Sequence, residues 1–441
     1  MLIQRATLLD GTVVDIRLGR FIAEVADRLP AHRGEDVLDA AHGTVIPGLH
    51  DHHVHLRSAA AALESVHAGP PHVRCRDDLA RALSETEPGN DGWIRAVGYH
   101  ESVAGSLDRA ALDALAPRTP VRVQHRSGAL WVLNSTGLAA IGMADHPDGR
   151  LFRTDGDWAP PRREPSLRRV SQRLVGFGVT GVTDATPDQG TRDVESLAAA
   201  CRSGELRQRL HCLASPEARD VAGVAIGPVK IILDDASLDF DLLESTARRC
   251  HSLGRGVAVH CVTDSQLVVT IAALQAVGAH PGDRVEHAAV VPDDCLDDLA
   301  GLGVTVVTQP NFVAERGDAY LSEVPGEVHG QLWRLGSLLR RGINVALSTD
   351  MPFGDGDPWA AMRAAVHRRT PSGATLVAAE RVSPVTALTM FLGRADRPAR
   401  SRTVEPGQPG DLCLLGAPPR EVLGELDSGM VGATIVGGEI A

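Results

Sequence analysis

The sequence predicts an α/β fold, namely a (β/α)8 TIM-like barrel that carries a small β-sandwich domain. Eight short apolar runs alternate with helical stretches, and eight β-then-α units are typical of a parallel barrel. Short segments of alternating polarity with glycine turns occur at both ends of the chain. The eight predicted strands are residues 44–46, 179–183, 209–214, 229–233, 257–260, 284–287, 304–308 and 345–349.

The two chain ends predict a domain of their own. Residues 1–46 and 397–441 suit small antiparallel strands, so we expect them to form one β-sandwich together. The barrel would then occupy residues 47–396. A long stretch between the first two predicted strands interrupts the alternation, and we expect residues 66–170, approximately, to form a cap insertion. An insertion after the first strand of a barrel lies on the face where active sites are built.

A doubly wound open sheet is the alternative fold. Such a fold would be supported by a glycine-rich phosphate loop between a strand and the helix that follows it. The glycine-containing stretch at residues 223–227 precedes a predicted strand instead. The barrel therefore remains the prediction.

The composition limits the partners of this protein. The chain has 441 residues, a hydrophobic content of 43% and a formal net charge of −12. The negative charge argues against nucleic acid and anionic membranes as partners. No apolar run approaches the ~18 residues of a membrane-spanning helix. We therefore expect a small-molecule substrate, no nucleic-acid partner and no membrane association, with a homodimer as one option for assembly.

The cysteines indicate the cellular compartment. The seven cysteines are scattered and contain no CxxC pair. This pattern is typical of reduced thiols and not of disulfides or a structural zinc site. No signal peptide is visible in the first residues. We therefore expect a cytoplasmic protein.

A single lysine lies in one of the predicted strands. Among the 44 Lys and Arg residues, Lys230 is the only lysine. It lies inside the apolar run 229–233, where a free ammonium group would be costly. Unlike arginine, a buried lysine can lose its proton and become a nucleophile or a modified metal ligand. The alternative is a chance survivor whose ammonium group reaches solvent.

Two histidines follow the first predicted strand. His53 and His55 are two residues apart, and such residues point to the same side of an extended segment. Two imidazoles on one side suit a metal ion. Because His50 and His52 lie close by, a solvated histidine-rich turn is the alternative for this motif taken alone.

Further potential ligands occur in later strands. His260, His287 and Asp350 each lie at the end of a different predicted strand, and Lys230 lies within another. The carboxyl ends of barrel strands meet on one face. We therefore expect these side chains and the histidine pair to converge on one metal site.

These motifs resemble those of the amidohydrolase superfamily, in which an HxH motif, a lysine, two histidines and an aspartate follow one another on strands 1, 4, 5, 6 and 8. Finer motifs resemble its amidohydrolase-3 branch, which includes YtcJ-like proteins and N-substituted formamide deformylases. They are PGLHDHHVHL at residues 47–56, GWIR at 92–95, HRSG at 125–128, RVEH at 284–287 and STDMP at 348–352. The resemblance covers nearly the whole chain.

The resemblance implies a binuclear metal centre. Lys230 would react with CO2 to give a carbamate that bridges two divalent ions. The ions would be zinc, with iron, manganese or nickel as alternatives. One ion would be held by two histidines and the aspartate, and the other by the two remaining histidines. The implied metal ligands are His53, His55, Lys230, His260, His287 and Asp350.

The resemblance also implies a reaction. A metal-bridging hydroxide would attack the carbonyl carbon of a small amide, formamide or cyclic amide and cleave its C–N bond. Asp350 would act as the catalytic base and then as the acid. Each candidate substrate-binding residue has a purely structural role as its alternative. These candidates are His100, His125, Arg126, Trp131, Gln309 and Asn311.

Two other functions remain open. A mononuclear deaminase of an amino-heterocycle would have the same fold, although deaminases of this superfamily typically do not need the bridging lysine. A non-catalytic barrel that binds a ligand is an alternative from another class, although a decayed enzyme would be expected to lose metal ligands. The metal content separates the three functions, since they imply two ions, one ion and none.

Overall fold

The computed structural model describes residues 1–152 and 164–441. The chain forms two compact units, one made of residues 1–56 and 167–441 and the other of residues 57–166. Part of the predicted cap insertion, residues 153–163, lies outside the described residues. Both units contain helices and strands, and the fold is mixed α/β as predicted.

The described residues contain 22 strands and 15 α-helices. The strands are β1 (Leu2–Thr7), β2 (Val13–Leu18), β3 (Ile22–Ala26), β4 (Val37–Asp39), β5 (Thr44–Pro47), β6 (Leu49–Val54), β7 (Val66–His67), β8 (Ile94–Tyr99), β9 (Val121–His125), β10 (Leu130–Leu133), β11 (Arg150–Phe152), β12 (Val179–Asp184), β13 (Arg209–Cys212), β14 (Ala225–Ile226), β15 (Val229–Ile232), β16 (Val257–Cys261), β17 (Arg284–His287), β18 (Thr305–Thr308), β19 (Asn344–Leu347), β20 (Leu412–Leu415), β21 (Val431–Val436) and β22 (Glu439–Ile440). The helices are α1 (Leu56–Ala62), α2 (Arg76–Ser84), α3 (Glu101–Ala104), α4 (Arg109–Leu115), α5 (Ser135–Ala140), α6 (Arg168–Gly176), α7 (Thr191–Arg202), α8 (Phe240–Ser252), α9 (Asp264–Val277), α10 (Asp293–Leu302), α11 (Asn311–Glu323), α12 (Leu335–Arg340), α13 (Pro358–His367), α14 (Pro384–Thr389) and α15 (Pro419–Glu425).

Strands from both ends of the chain share one eight-stranded sheet. Its order is β22-β21-β20-β5-β1-β2-β3, and β4 pairs with β1. β20 runs antiparallel to β5, with Leu412 opposite Pro47. The buried side chains of Ile3, Val45 and Leu412 belong to one hydrophobic cluster of this sheet. Apolar packing thus joins the first strands of the chain to the last ones.

The predicted first barrel strand, residues 44–46, belongs to this sheet instead. β5 pairs with β20 and β1, and only Gly48 separates it from β6, which lies in a parallel sheet. A Cβ at Gly48 would overlap with Thr180, so this close approach requires glycine. The prediction was wrong because the apolar run ends at Ile46, whereas β6 contains four buried polar residues, His50, Asp51, His52 and His53.

Two parallel sheets hold the other strands of this unit. Their orders are β14-β13-β12-β6 and β15-β16-β17-β18-β19. These strands agree with predicted strands 2 to 8 to within about two residues at each end. Helices follow β12, β15, β16, β17 and β18, as crossover connections between parallel strands require. The carboxyl ends of neighbouring strands in each sheet therefore lie along one edge.

The second unit, residues 57–166, has a sheet of its own. Its order is β11-β10-β9-β8-β7, in which β8 and β9 are parallel and β9 and β10 antiparallel. Leu79 and Leu83 of α2 and Leu112 of α4 belong to the same buried cluster as Val121 and Val123 of β9. These apolar contacts hold helices and sheet together in this unit.

The sequence predicted reduced cysteines and no membrane-spanning helix. All seven cysteines are free thiols, and five of them are buried. In the described ranges, no helix has both the length and the apolar character needed to cross a membrane.

Candidate metal centre

Three predicted ligands meet at the carboxyl ends of their strands. His53 lies in β6, His55 follows this strand, and Asp350 follows β19. The Nε2 atoms of His53 and His55 lie 3.6 and 3.2 Å from Oδ1 of Asp350. One potential ligand atom from each residue lies within 4.8 Å of the others. Imidazole nitrogens and a carboxylate oxygen at this spacing could hold a divalent cation.

Two further histidines and the lysine lie next to this group. The ring centroid of His287 is 4.8 Å from that of His53 and 4.5 Å from that of His260. Lys230 interacts electrostatically with His53, His287 and Asp350. The structure thus brings the predicted metal ligands into one neighbourhood. Their roles in metal binding stay predictions.

A buried ion pair fixes the orientation of His53. Nδ1 of this histidine lies 2.5 Å from Oε2 of Glu286. Arg284 donates from Nε to Oε1 of Glu286 at 2.7 Å and from Nη2 to Oε2 at 3.1 Å. Because Nδ1 is engaged, Nε2 of His53 is left to face Asp350. A carboxylate partner of this kind also makes an imidazole a better metal ligand.

Gln309 holds the ring of His287. Its Oε1 accepts from Nδ1 of His287 at 2.8 Å, and its Nε2 donates to Oγ of Ser348 at 2.9 Å. The side chain of Gln309 is fully buried. These hydrogen bonds give Gln309 a positioning role, and its predicted contact with a substrate stays a prediction.

Asn311 is also buried, but part of its amide is free. Nδ2 donates to the carbonyl of Thr349 at 3.1 Å and to Oε1 of Glu315 at 2.9 Å. Within the described part of the chain, its Oδ1 has no hydrogen-bond partner. The predicted contact of Asn311 with a substrate stays a prediction.

The backbone is strained at two residues of the site. The φ angle is +68° at His287 and +57° at Asp350. Residues other than glycine rarely adopt positive φ, and such strain clusters at functional sites. Hydrogen bonds hold the strained segment in place, since Asp350 N donates to His53 O at 3.0 Å and Phe353 N donates to Asp350 O at 2.7 Å. The strain therefore points to function at this edge of the sheets.

Burial controls the protonation of the site. Lys230 is 6% exposed, and burial lowers the pKa of its ammonium group to about 8. Burial, followed by the charge of Lys230, holds the pKa of His53 well below its usual value. Burial and the neighbouring His260 do the same to the pKa of His287. His53 and His287 are therefore neutral at pH 7, which is the form that binds metals.

Three buried polar atoms of the cluster make no hydrogen bond to any described residue. They are Nζ of Lys230, Nε2 of His53 and Oδ1 of Asp350. A buried polar group without a partner costs about 1–3 kcal/mol. A divalent cation would engage the imidazole nitrogen and the carboxylate oxygen together. The residues therefore fit a metal ion.

Two of the predicted substrate residues form a polar cluster in the second unit. Nε2 of His125 lies 3.1 Å from Oε2 of Glu101, and Nε2 of His100 lies 3.9 Å from the same oxygen. The ring centroids of the two histidines are 6.2 Å apart. Both imidazoles thus face one carboxylate, and their contact with a substrate stays a prediction.

Trp131 and Arg126 lie in the same unit. The guanidinium groups of Arg95 and Arg122 lie 5.2 and 5.5 Å from the Trp131 ring. The backbone N–H of Arg126 donates to the carbonyl of Tyr99 at 2.8 Å. Trp131 therefore has cation–π contacts within the unit, which is the structural alternative to a substrate contact.

Two positioning residues, Arg284 and Glu286, were not predicted from the sequence, and Gln309 was predicted with a different role. A signal existed for the first two, because residues two apart on a strand point to the same side and can pair. No sequence pattern links Gln309 to His287, since 22 residues separate them. Their contact depends on the way in which β17 and β18 pair.

The fold and the site define a mixed α/β protein with a candidate divalent-metal centre at the carboxyl ends of parallel strands. The family model Amidohydro_3, described as an amidohydrolase family, matches residues 36–441. The chain therefore belongs to the amidohydrolase family, and the identification from its motifs is confirmed.

Relatives agree with this assignment. The chain is 25% identical to an N-substituted formamide deformylase of Arthrobacter pascens, across 91% of this chain and 89% of the relative. It is 23% identical to the protein LONG AFTER FAR-RED 3 of Arabidopsis thaliana, across 90% of this chain and 82% of the relative. The solved structure of an uncharacterised metal-dependent hydrolase from Pyrococcus horikoshii OT3 matches with a TM-score of 0.76 and 20% identity, across 98% of this chain and 99% of that chain. This last match shows a shared fold.

Proposed function

We propose that this protein is a metal-dependent hydrolase that cleaves a C–N bond of a small molecule, such as an amide, formamide or cyclic amide. The observation that carries the proposal is the set of buried, unpartnered polar atoms on Lys230, His53 and Asp350. Membership of the amidohydrolase family supports the same reaction class. One relative is described as an N-substituted formamide deformylase, which favours a substituted formamide as the substrate.

The proposal includes a closed barrel of eight parallel strands. Two backbone hydrogen bonds between the parallel sheets support closure. Asp350 N donates to His53 O at 3.0 Å, and His55 N donates to Met351 O at 2.8 Å, so the end of β6 contacts the segment after β19. A closed barrel would bring the carboxyl ends of all the strands to one face. The eight-stranded sheet of the two chain ends would form the predicted β-sandwich.

Two ions would share the cluster. We propose His53, His55 and Asp350 on one ion, and His260 and His287 on the second. The distances among the imidazoles and to Asp350 support this division. Such ligands suit zinc, with iron, manganese or nickel as alternatives. When bound, a divalent ion supplies Lewis acidity, which polarises a carbonyl and makes water more acidic.

Lys230 would join the centre as a carbamate shared by both ions. Its neutral amine nitrogen adds to the carbon of CO2 and releases one proton, so that a neutral side chain becomes an anionic carbamate. The reaction needs the neutral amine, and the lowered pKa of Lys230, about 8, supports a neutral fraction near pH 7. Arginine stays protonated and cannot react in this way.

Asp350 would carry the proton during hydrolysis. Its Oδ1 makes no hydrogen bond to any described residue. The carboxylate could accept a proton from water and deliver it to the leaving nitrogen. The backbone hydrogen bonds around Asp350 hold the carboxylate in place. These contacts support a role as the general base and then the general acid.

A mononuclear deaminase of an amino-heterocycle is the second candidate. Among the described residues, His53, His55 and Asp350 form the one group of three close ligand residues, which suits a single ion. A deaminase would leave the buried Lys230 without a role. We therefore rank the C–N hydrolase with two ions first.

The metal content and a substrate screen test the proposal. We expect about two ions per chain by elemental analysis after zinc loading, because the cluster offers two groups of ligands. We also expect amine release from an N-formyl or N-acetyl compound, or ring opening of a cyclic amide. One ion per chain with ammonia release from an amino-heterocycle would replace the proposal by the deaminase. A chain that holds no ion would support a non-catalytic binding protein.

Replacement of Gln309 by alanine should weaken metal binding. The change removes the hydrogen bond that orients His287, and loss of such a partner typically costs about 10–100-fold in metal affinity. Competition with a chelator measures this affinity. The matched control is Gln275→Ala, which removes an amide that contacts Asp298 at an exposed position. Equal zinc affinity of both variants would rule out a supporting role for Gln309.

A further inference from the structure

A separate cavity lies at the amino-terminal ends of the parallel strands. Its volume is about 480 Å³. The wall residues Gly227, Gly256 and Asp283 lie just before β15, β16 and β17. The candidate metal ligands lie within these strands or after their carboxyl ends, so this cavity is distinct from the metal centre.

Two buried side chains line the cavity with free polar atoms. His211 is 4% exposed, and Arg284 is 2% exposed. Both ring nitrogens of His211 and Nη1 of Arg284 make no hydrogen bond to the described part of the chain. A Cβ at Gly227 would overlap with the His211 ring, so glycine lets the imidazole lie against the backbone. Since most buried polar groups have partners, these atoms are suited to contact a ligand.

Positive charge dominates the walls. Four arginines line the cavity, namely Arg255, Arg284, Arg397 and Arg400. Arg255 is held by backbone carbonyls, including Gly227 O at 2.8 Å. Burial, followed by the positive charge of Arg284, lowers the pKa of His211 to about 4. The imidazole is therefore neutral and offers one N–H donor.

The two acidic residues of the walls already have partners. Asp283 accepts three hydrogen bonds at 2.7–2.9 Å, from Val257 N, His251 Nε2 and His280 N. Asp396 lies 3.1 Å from Nε of Arg394. The walls therefore carry four guanidinium groups and two carboxylates, with an excess of positive charge.

We propose that this cavity binds a small organic oxyanion, a carboxylate or a monophosphate. The oxyanion would accept from Nη1 of Arg284 and from the imidazole N–H of His211, with Arg397 and Arg400 at the rim. Guanidinium groups match the geometry of such anions. A volume of about 480 Å³ exceeds that of a bare oxyanion and lies in the range of small-molecule sites, so the ligand has an organic body.

Calorimetry on the full zinc-loaded chain tests the proposal. The probes are phenyl phosphate, benzoate and inorganic phosphate, with phenol as the neutral comparison at matched ionic strength. Because an anion could also bind at the metal centre, variants of the exposed rim identify the site. Arg397→Ala/Arg400→Ala should weaken binding of phenyl phosphate or benzoate at least about tenfold, since charge-assisted hydrogen bonds are lost. A second variant, Ala399→Glu, places a negative charge at the rim and should weaken binding as strongly.

The matched control removes two positive charges at positions outside the cavity. Arg192 and Arg420 are exposed and do not line the cavity, so Arg192→Ala/Arg420→Ala should bind the probes like the parent. Tighter binding of phenyl phosphate than of benzoate would identify a monophosphate, and the reverse a carboxylate. The proposal is overturned if the parent binds neither anion more tightly than phenol, or if the rim variants bind both as tightly as the control. The measurement reads binding directly, so its failure leaves the proposed hydrolase untouched.

Discussion

Lys230→Arg should lose at least one metal ion and nearly all turnover. Arginine keeps the positive charge and the approximate length of the side chain but cannot form a carbamate. Nζ of Lys230 makes no hydrogen bond to any described residue, and the side chain is buried among the candidate ligands. A cation fixed at this position would repel the ions that it should bridge. Elemental analysis and turnover of the amide found by screening measure the two losses.

A rescue experiment provides the control for Lys230. Lys230→Ala opens space at the same position, and a short carboxylic acid such as propionate could then supply the missing oxygens. We expect partial recovery of metal content and turnover with propionate and none with propionamide, which has a similar size but no charge. An arginine variant that keeps two ions and full turnover would refute the carbamate.

Asp350→Asn should lower turnover by a factor of about 10²–10⁴, which is the usual contribution of a positioned proton carrier. The amide has nearly the same shape as the carboxylate but cannot accept the proton. His53 and His55 both lie near Oδ1 of Asp350, so they remain in place to hold an ion. We therefore expect a smaller loss of metal than in Lys230→Arg. Single-turnover kinetics at saturating zinc separate the proton step from metal loss.

Asp355→Asn is the matched control for this experiment. Asp355 lies five residues further on, is exposed and pairs with Arg173 at 2.9 Å. Its amide variant should keep parental turnover. Near-normal turnover in Asp350→Asn would transfer the role of base to another group, and His125 and His100 would then be the next residues to replace.

Much of the parallel framework could be predicted because its strands are apolar. The run Arg284–His287 has the same bounds in the sequence prediction and in the structure. Potential ligands at the ends of such runs could be predicted to meet, since parallel strands align their carboxyl ends. The proximity of His53, His287 and Asp350 follows from this rule. Strand ends and ligand types were thus sufficient to find the candidate site.

The first parallel strand could not be found in this way. β6 has six buried residues, and four of them are polar, so hydropathy gives no sign of burial. Distant segments supply hydrogen-bond partners to two of these polar residues, Asp51 and His50. Asp51 accepts from Oγ1 of Thr349 at 2.5 Å, and His50 lies 2.9 Å from Oγ1 of Thr183. Contacts across more than a hundred residues of sequence leave no local pattern.

Because Lys230 is the only lysine and is buried, it limits the chemistry by which the protein can be coupled to other molecules. Amine-reactive dyes, biotin esters and aldehyde cross-linkers all need an accessible primary amine. The one lysine of the chain is 6% exposed. We therefore expect such reagents to leave the side chains of the folded protein unmodified, including those around the candidate metal centre, so that labels and surfaces must be attached through other residue types.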